Sequence, residues 1–536
     1  MPTKEENAEA IREGKIYLGL ELGSTRIKAV LLDESCHTLA TGSHAWESVY
    51  EQGYWTYSLD AIWEGVRHCY AELAQQVQVQ YGLHIRKVTA MGISAMMHGY
   101  LAFDKQGTLL TPFRTWRNAT TQKAATELSA RFAFNVPQRW SIAHLYQAIL
   151  NRESHVKDVA QLTTLAGYIH WKLTGKKCMG IGDASGMFPL NAAGNGYDVE
   201  KMHIFAELPK VKAYRWQIAD ILPQPLCAGQ AAGNLTAEGA HLLDPQGYLL
   251  AGALCAPPEG DAGTGMVSTH AVRPRTGNIS AGTSAFSMNV LDAPLKKAHP
   301  DIDVVATPDG LPVAMVHANN CTSDFNAWAN LFAEFAHRID MPIDKEKLFC
   351  TLLTAAGEGT KDLRGMLSYP FLAAEPLARV AQGRPLFSRM PSSDFSLSNF
   401  MRTHLYAAFA PLAMGMETLK QEENIHPESM FVQGGLFKTP VVAQQALADA
   451  LNLPITAMET AGEGGPWGMA LLARYAALEH RPPLADFLDE IFKDTPSTTL
   501  APDPAGVEGY AHFLTCFQEG LRIEKEVGRL QTMTEV

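Results

Sequence analysis

The stretch Y-L-G-L-E-L-G-S-T-R-I-K-A-V-L-L-D, from Tyr17 to Asp33, constrains the fold more than any other in the chain. Two apolar runs, Tyr17 to Leu22 and Ile27 to Leu32, flank a Gly-Ser-Thr-Arg turn, which is the pattern of a buried β-hairpin. Glu21 breaks the first run. An unpaired carboxylate is costly to bury, so Glu21 either looks into a solvated cleft or has a partner. Beside it, a turn rich in glycine and hydroxyl residues lets backbone N–H groups converge on an anion without obstruction from Cβ. Gly23, Ser24 and Thr25 are therefore candidates to cradle phosphate oxygens, set against the alternative of an ordinary hairpin turn.

The feature recurs. Gly277 to Ala281 runs into Gly282-Thr283-Ser284 and then Ala285 to Val290: short strand, glycine with two hydroxyl residues, second strand. The echo suggests that one α/β unit is used twice and adds Gly282, Thr283 and Ser284 to the phosphate candidates. No G-x-x-x-x-G-K-[ST] is present, which excludes a P-loop. Helical patterns over Leu59–Gln80, Thr121–Phe132, Ala143–Leu150, Thr439–Leu451 and Met469–Leu478 interleave with strand-like runs at Val88–Ile93 and Met430–Gln433, which predicts α/β architecture with covered sheets. At 536 residues the chain exceeds one ordinary core. Pro274 and its flanking arginines interrupt the apolar pattern, dividing the chain into a tail (residues 1–15), an N-terminal domain (16–272) and a C-terminal domain (273–536).

Charge and cysteine usage narrow the function classes. A formal net charge of −12 argues against a nucleic-acid backbone or an anionic membrane as partner. The eight cysteines are scattered, without a C-x-x-C pair, as in reduced cytosolic proteins and unlike a disulfide framework or a zinc site. The first residues lack the apolar core of a signal peptide, and no apolar stretch has the length to cross a bilayer. The expectation is a cytoplasmic protein acting on a small molecule, with a homodimer left open.

Three further segments carry chemistry. In Pro258 to Gly265, small residues surround Asp261. Phosphoryl transfer to an alcohol needs a carboxylate to accept the hydroxyl proton; the alternative for Asp261 is a helix N-cap. Met97-His98-Gly99, then Trp116, Arg117 and Asn118, with Trp55 upstream, combine donors, acceptors and aromatic faces of the kind a polyol requires. Gly434-Gly435 and Gly464-Gly465 permit close backbone approach to an adenine or ribose, or serve as turns.

Taken in order, these pieces resemble the FGGY carbohydrate kinases, of the actin/Hsp70/sugar-kinase fold, from about Tyr17 to about Tyr475. E-L-G-S-T resembles the family's first phosphate hairpin, usually D-x-G-T-S, with Glu21 in place of Asp. S-A-M-M-H-G-Y-L-A-F-D-K-Q-G, from Ser94, resembles the xylulokinase sugar segment, and F-R-T-W-R-N, from Phe113, resembles the L-W-N-D-x-R strand end, with Arg117 before Asn118. L-A-G-Y-I-H-W-K-L-T-G and G-D-A-S-G-M-F follow. G-D-A-G-T-G resembles the catalytic-base segment and N-I-S-A-G-T-S the second phosphate hairpin. V-Q-G-G-L-F-K-T-P, with Lys438, and E-G-G-P-W-G-M-A resemble the adenosine-binding glycines.

The resemblance implies two ribonuclease-H-like domains with a cleft between them and ATP lying across it. The two hairpins would hold the phosphates, and Mg²⁺ would be held mainly by phosphate oxygens and water near Glu21 or Asp261. Asp261 would draw the proton from a terminal sugar hydroxyl. M-H-G points toward a ketopentose, D-xylulose or L-ribulose. The alternatives are another polyol or ketose kinase, or a non-kinase ATPase or sugar sensor on the same fold.

Overall fold

A computed structural model describes residues 3–439, 441–458 and 464–531. Two sheets organise it. In the first, Tyr17–Leu22 lies between its hairpin partner Arg26–Leu32, antiparallel, and Ala90–Ala95, parallel. Thr38–Ala45 extends one edge, while Leu254–Cys255 and Glu259–Gly260 pair with the far side of Ala90–Ala95. The second sheet repeats the plan. Thr276–Ala281 pairs antiparallel with Ala285–Val290 and parallel with Ser429–Gln433; Pro312–Ala318 and Ile302–Ala306 extend one side, Ile455–Met458 and Ser497–Leu500 the other. Both predicted hairpins are present, and the strand order shared by the two sheets bears out the doubled α/β unit.

Helices cover the sheets where the apolar periodicity places them. Leu59–Tyr81 starts at an N-cap on Ser58, whose hydroxyl accepts the Ala61 N–H at 3.1 Å, and buries Ile62, Val66, Cys69, Leu73 and Val77. Leu397–Thr418 forms the buried spine of the second domain.

Two departures from the expected organisation matter. The N-terminal tail is a helix, Lys4–Glu13, begun by a reciprocal capping box between Thr3 and Glu6 and anchored by Ile11, which is buried. Helix Gly464–Ala477, beyond the domain boundary in sequence, packs against the first sheet rather than the second. Gly19 makes this possible: a Cβ there would lie 2.0 Å from the Pro466 carbonyl oxygen, so only a strand without a side chain admits the helix. The helix Gly464–Ala477 therefore completes the first domain, and the chain then returns to the second sheet with Ser497–Leu500.

The two domains also meet directly. The Ala306 N–H donates to Ser185 Oγ at 3.0 Å, the Ala228 N–H to the Pro308 carbonyl at 2.7 Å, and Asn135 and Arg139 reach the edge strand Ile302–Ala306. All eight cysteines are unpaired. No helix among the described residues is long and apolar enough to cross a membrane.

Candidate active site

Helix Asp261–Ser268 lies where the two sheets approach each other. On one side Ser94 and Thr264 share a hydroxyl hydrogen bond of 3.0 Å, and Gly468 packs on the Thr264 carbonyl. On the other, a Cβ on Gly265 would come 3.7 Å from the Gln433 amide nitrogen. Asp261 is the first residue of this helix, but the N-cap is Gly260 and no side chain caps it, so the capping alternative is not realised. Instead Asp261 Oδ1 accepts the Met97 N–H at 3.3 Å.

A cluster of carboxyl groups surrounds Asp261, and the physics of each differs. Solvent reaches Asp261, yet it sits deep in the chain's mass; burial pushes its pKa up to about 6 against the pull of the Met97 N–H. Asp183 is fully buried. Its Oδ2 accepts the Thr164 hydroxyl at 2.6 Å, its Oδ1 has no partner among the described residues, and burial lifts it to about 7. Glu259 accepts the Asp183 N–H at 2.9 Å and the Gly182 N–H at 3.2 Å, and burial, with the Asp183 charge, lifts it to about 8. Burial and then the Asp261 charge push Glu21 to about 7, with Lys28 opposing from directly across the hairpin. Of the four, Asp261 is raised to the lowest value and is the one ionised at pH 7. Sequence reading singled out Asp261 and Glu21 but missed Asp183 and Glu259. Asp183 stood in the quoted G-D-A-S-G turn and Glu259 two residues before Asp261, and neither shows its burial in the sequence.

The two phosphate-candidate turns are built alike. In the first, the Gly23, Ser24 and Thr25 carbonyls accept from Trp46 Nε1 (2.7 Å), the Tyr57 hydroxyl (2.5 Å) and the Trp46 N–H (3.2 Å). In the second, the Gly282 carbonyl accepts the Thr322 hydroxyl at 2.7 Å and the Thr283 carbonyl accepts the Cys321 N–H at 2.9 Å. The carbonyls anchor each turn to the protein, and the hydroxyls of Ser24, Thr25, Thr283 and Ser284 have no hydrogen-bond partner among the described residues.

The Met97-His98-Gly99 turn follows Ala90–Ala95 and puts two successive residues at positive φ, +70° at His98 and +89° at Gly99. His98 is buried; its Nδ1 pairs with the Gly186 carbonyl at 3.3 Å. Burial, reinforced by the Arg139 charge, holds its pKa well below the usual imidazole range. Gly99 packs on Arg114, which brings the segment from Phe113 to Asn118 alongside. There the expectations divide. Trp55 stacks under the Arg117 guanidinium at 3.9 Å, and Arg117 also donates to Ser48 Oγ at 2.8 Å. Trp116 is exposed. Asn118 accepts the Trp55 N–H at 2.8 Å and donates to the Trp55 and Thr115 carbonyls, so its amide braces the wall and is not free for a ligand. Arg114, from the same stretch, is almost fully buried and ion-paired with Glu153.

The two glycine pairs expected to share one adenosine site lie on different sheets. Gly434 follows the second sheet's Ser429–Gln433 at φ +118°, pressed on the Ala281 carbonyl, and Gly435 has open space beside it. Gly464 and Gly465 instead face the first hairpin, with Glu21 Oε2 1.4 Å from where a Gly465 Cβ would be. The Lys438 side chain, Pro440 and Glu463 lie outside the described residues. No group of three or more His, Cys, Asp or Glu side chains among the described residues could hold a metal by itself.

This doubled fold, with a carboxylate between its halves and hydroxyl-bearing hairpins on both, is that of the two-domain sugar kinases. The N-terminal-domain model of the FGGY family of carbohydrate kinases matches residues 16–246, and the C-terminal-domain model matches residues 277–477. The chain belongs to this family and is a carbohydrate kinase. Among curated relatives, the xylulose kinase of Haemophilus influenzae is 22% identical over 89% of this chain and 93% of its own length. Among solved structures, the xylulose kinase of Rhodospirillum rubrum superposes with a TM-score of 0.77 at 18% identity, over 95% of this chain and 98% of that one. The gluconate kinase of Lactobacillus acidophilus superposes with a TM-score of 0.76, also at 18% identity, over 95% and 98%.

Proposed function

We propose that the chain transfers the γ-phosphate of ATP to a terminal hydroxyl of a ketopentose of the D-xylulose or L-ribulose type, with Asp261 as general base. The observation that carries this reading is the hydrogen bond from the Met97 N–H to Asp261 Oδ1. It places the most readily ionised carboxylate of the cluster against the turn that carries His98 and Gly99. The relatives named xylulose kinase support the ketopentose class.

Asp261 accepts the hydroxyl proton as the oxygen attacks phosphorus, a contribution on the order of 10²–10⁴-fold. The turns at Gly23-Ser24-Thr25 and Gly282-Thr283-Ser284 hold the phosphate tail with their free hydroxyls and backbone. Gly434 and Gly435 border the nucleoside. Mg²⁺ fits this donor set as a phosphate-held ion: the Asp261 charge raises the cost of ionising Glu21, and two carboxylates alone do not form a cage. When bound, it neutralises charge on the phosphoryl oxygens. Trp55, with Arg117 stacked on it, and the exposed Trp116 wall the sugar side.

ADP release measured over a panel of ketopentoses, hexuloses, gluconate and glycerol tests the reading. Ketopentose-dependent release is expected. Turnover without sugar, or only with gluconate or glycerol, would overturn it.

A further inference from the structure

The Met97-His98-Gly99 turn does not hold itself in place. Two successive residues at positive φ, one of them a buried histidine, require surroundings that over-determine them. Beside the contacts of Met97 with Asp261, His98 with Gly186 and Gly99 with Arg114, those surroundings include Arg139 and Ser141. The Arg139 carbonyl accepts the Gly99 N–H at 2.9 Å, and the Ser141 hydroxyl donates to the Gly99 carbonyl at 2.6 Å, so the Gly99 residue is gripped at both ends. The same Arg139 sends its guanidinium the other way, into an ion pair with Asp303. Asp303 belongs to the edge strand Ile302–Ala306 of the second sheet. The pair is largely shielded, with side-chain exposures of 22% and 11%. It is braced by Asn135, whose amide donates to Asp303 Oδ1 at 2.9 Å and to the Ile302 carbonyl at 3.1 Å. Arg139 therefore has its backbone on the turn in one domain and its charge on a carboxylate in the other. Its charge also acts on His98 from the first domain, which is buried, and on His317 from the second, which is half-buried, and adds to the desolvation that lowers the pKa of each.

We infer that the Arg139–Asp303 pair is an interdomain tie that positions the Met97-His98-Gly99 turn, so that the turn is ordered only while the second domain is seated against the first. Both residues are positioning residues. A shielded ion pair that loses one partner leaves the other charge stranded, so neither partner can be neutralised without cost. That the positioned turn receives a sugar rests on the function proposed above; that it is positioned from the other domain does not.

The test uses the full-length protein with Arg139→Gln, Arg139→Lys, Asp303→Asn and the swap R139D/D303R. The first readout needs no substrate: amide hydrogen exchange in peptides covering residues 96–100. Faster exchange there in both Arg139→Gln and Asp303→Asn, at least partly restored by Arg139→Lys, is expected. Among the described residues Asp303 has no hydrogen bond to that turn, and its side-chain partners are Arg139 and Asn135, so an effect of Asp303→Asn that Arg139→Gln reproduces travels through the segment those two residues share. The second readout is kinetic: a ketopentose KM raised five-fold or more in both neutral variants, with the KM for ATP within two-fold of wild type. Should Arg139→Gln fail to fold, Asp303→Asn and the swap carry the same comparison. Unchanged exchange at residues 96–100 in Asp303→Asn, or equal rises in both KM values, would overturn the tie. A wild type that turns over with no sugar but shows the exchange effect would overturn the kinase reading and leave the tie standing.

Discussion

Gly465 lies so close to Glu21 that a Cβ added to it would sit 1.4 Å from Glu21 Oε2. The first turn of the helix Gly464–Ala477 is thus moulded onto the one carboxylate in the first hairpin, and Lys28 faces the same carboxylate from the neighbouring strand. Glu21 is neither stranded in a core nor free in a cleft. The extra methylene relative to the family's usual Asp reaches toward the space that glycine leaves. Gly465→Ala is expected to force helix and hairpin apart, lowering kcat at least ten-fold, while Glu21→Asp combined with Gly465→Ala recovers part of the loss. Steady-state kinetics on the single and double variants check this.

Asp261→Asn keeps the shape of the side chain and its hydrogen bond from Met97 but cannot accept a proton. Turnover is expected to fall by about 10²–10⁴-fold, with ATP affinity within a few-fold of wild type by calorimetry. Retained turnover would remove Asp261 as the base.

The pH profile should follow the same group. A base with its pKa raised to about 6 is ionised above that pH and protonated below it. Accordingly kcat/KM should be flat above neutrality and fall as pH drops through about 6, approaching ten-fold per unit.

Glu259 titrates for a different reason and with a different consequence. Burial raises its folded-state pKa to about 8 from an ordinary 4.5, so between those values the folded chain binds the proton more tightly than the unfolded one. Its contribution to stability is complete below about 4.5 and is lost as pH rises through about 8. Glu259→Gln, which removes the titrating proton and keeps an acceptor oxygen for one of the two N–H groups of Gly182 and Asp183, should flatten the fall in melting temperature between pH 5 and pH 8. A slope equal to wild type would show that Glu259 is not the group responsible.

The Arg114 guanidinium lies over the Tyr54 ring at 4.3 Å and pairs with Glu153. Removing Glu153 leaves a cation that is only 2% exposed without its counter-charge. Glu153→Ala is expected to cost about 3–5 kcal/mol in denaturant unfolding. Glu153→Gln, which still accepts a hydrogen bond, should cost less.

Much of this architecture was legible in the residues. The hairpins at Tyr17 and Gly277, the helix from Leu59 and the strand before Gly434 follow from apolar periods and turn residues, which are local properties. The helix Lys4–Glu13 was legible too, in the Thr3–Glu6 capping box and in Ile11, but the charge around it reads as a solvated tail. Asn118 stands beside Trp55, and whether its amide is spent on Trp55 or offered to a ligand depends on that partner, distant in sequence.

The order of motifs along the chain determined the family, and with it the doubled α/β plan, because spacing and turn chemistry are written one residue at a time. Only the tertiary structure decided which carboxyl group stays ionisable. That choice depends on which carboxyl group solvent reaches and which carboxylates and backbone N–H groups stand beside it, and Asp183, Glu259 and Asp261 come from segments whose surroundings no local pattern states. It also decided that Gly464–Ala477 completes the first domain and that Arg139 reaches across to Asp303. Both are contacts between residues far apart in sequence, and their energy exists only once the two sheets have been brought together.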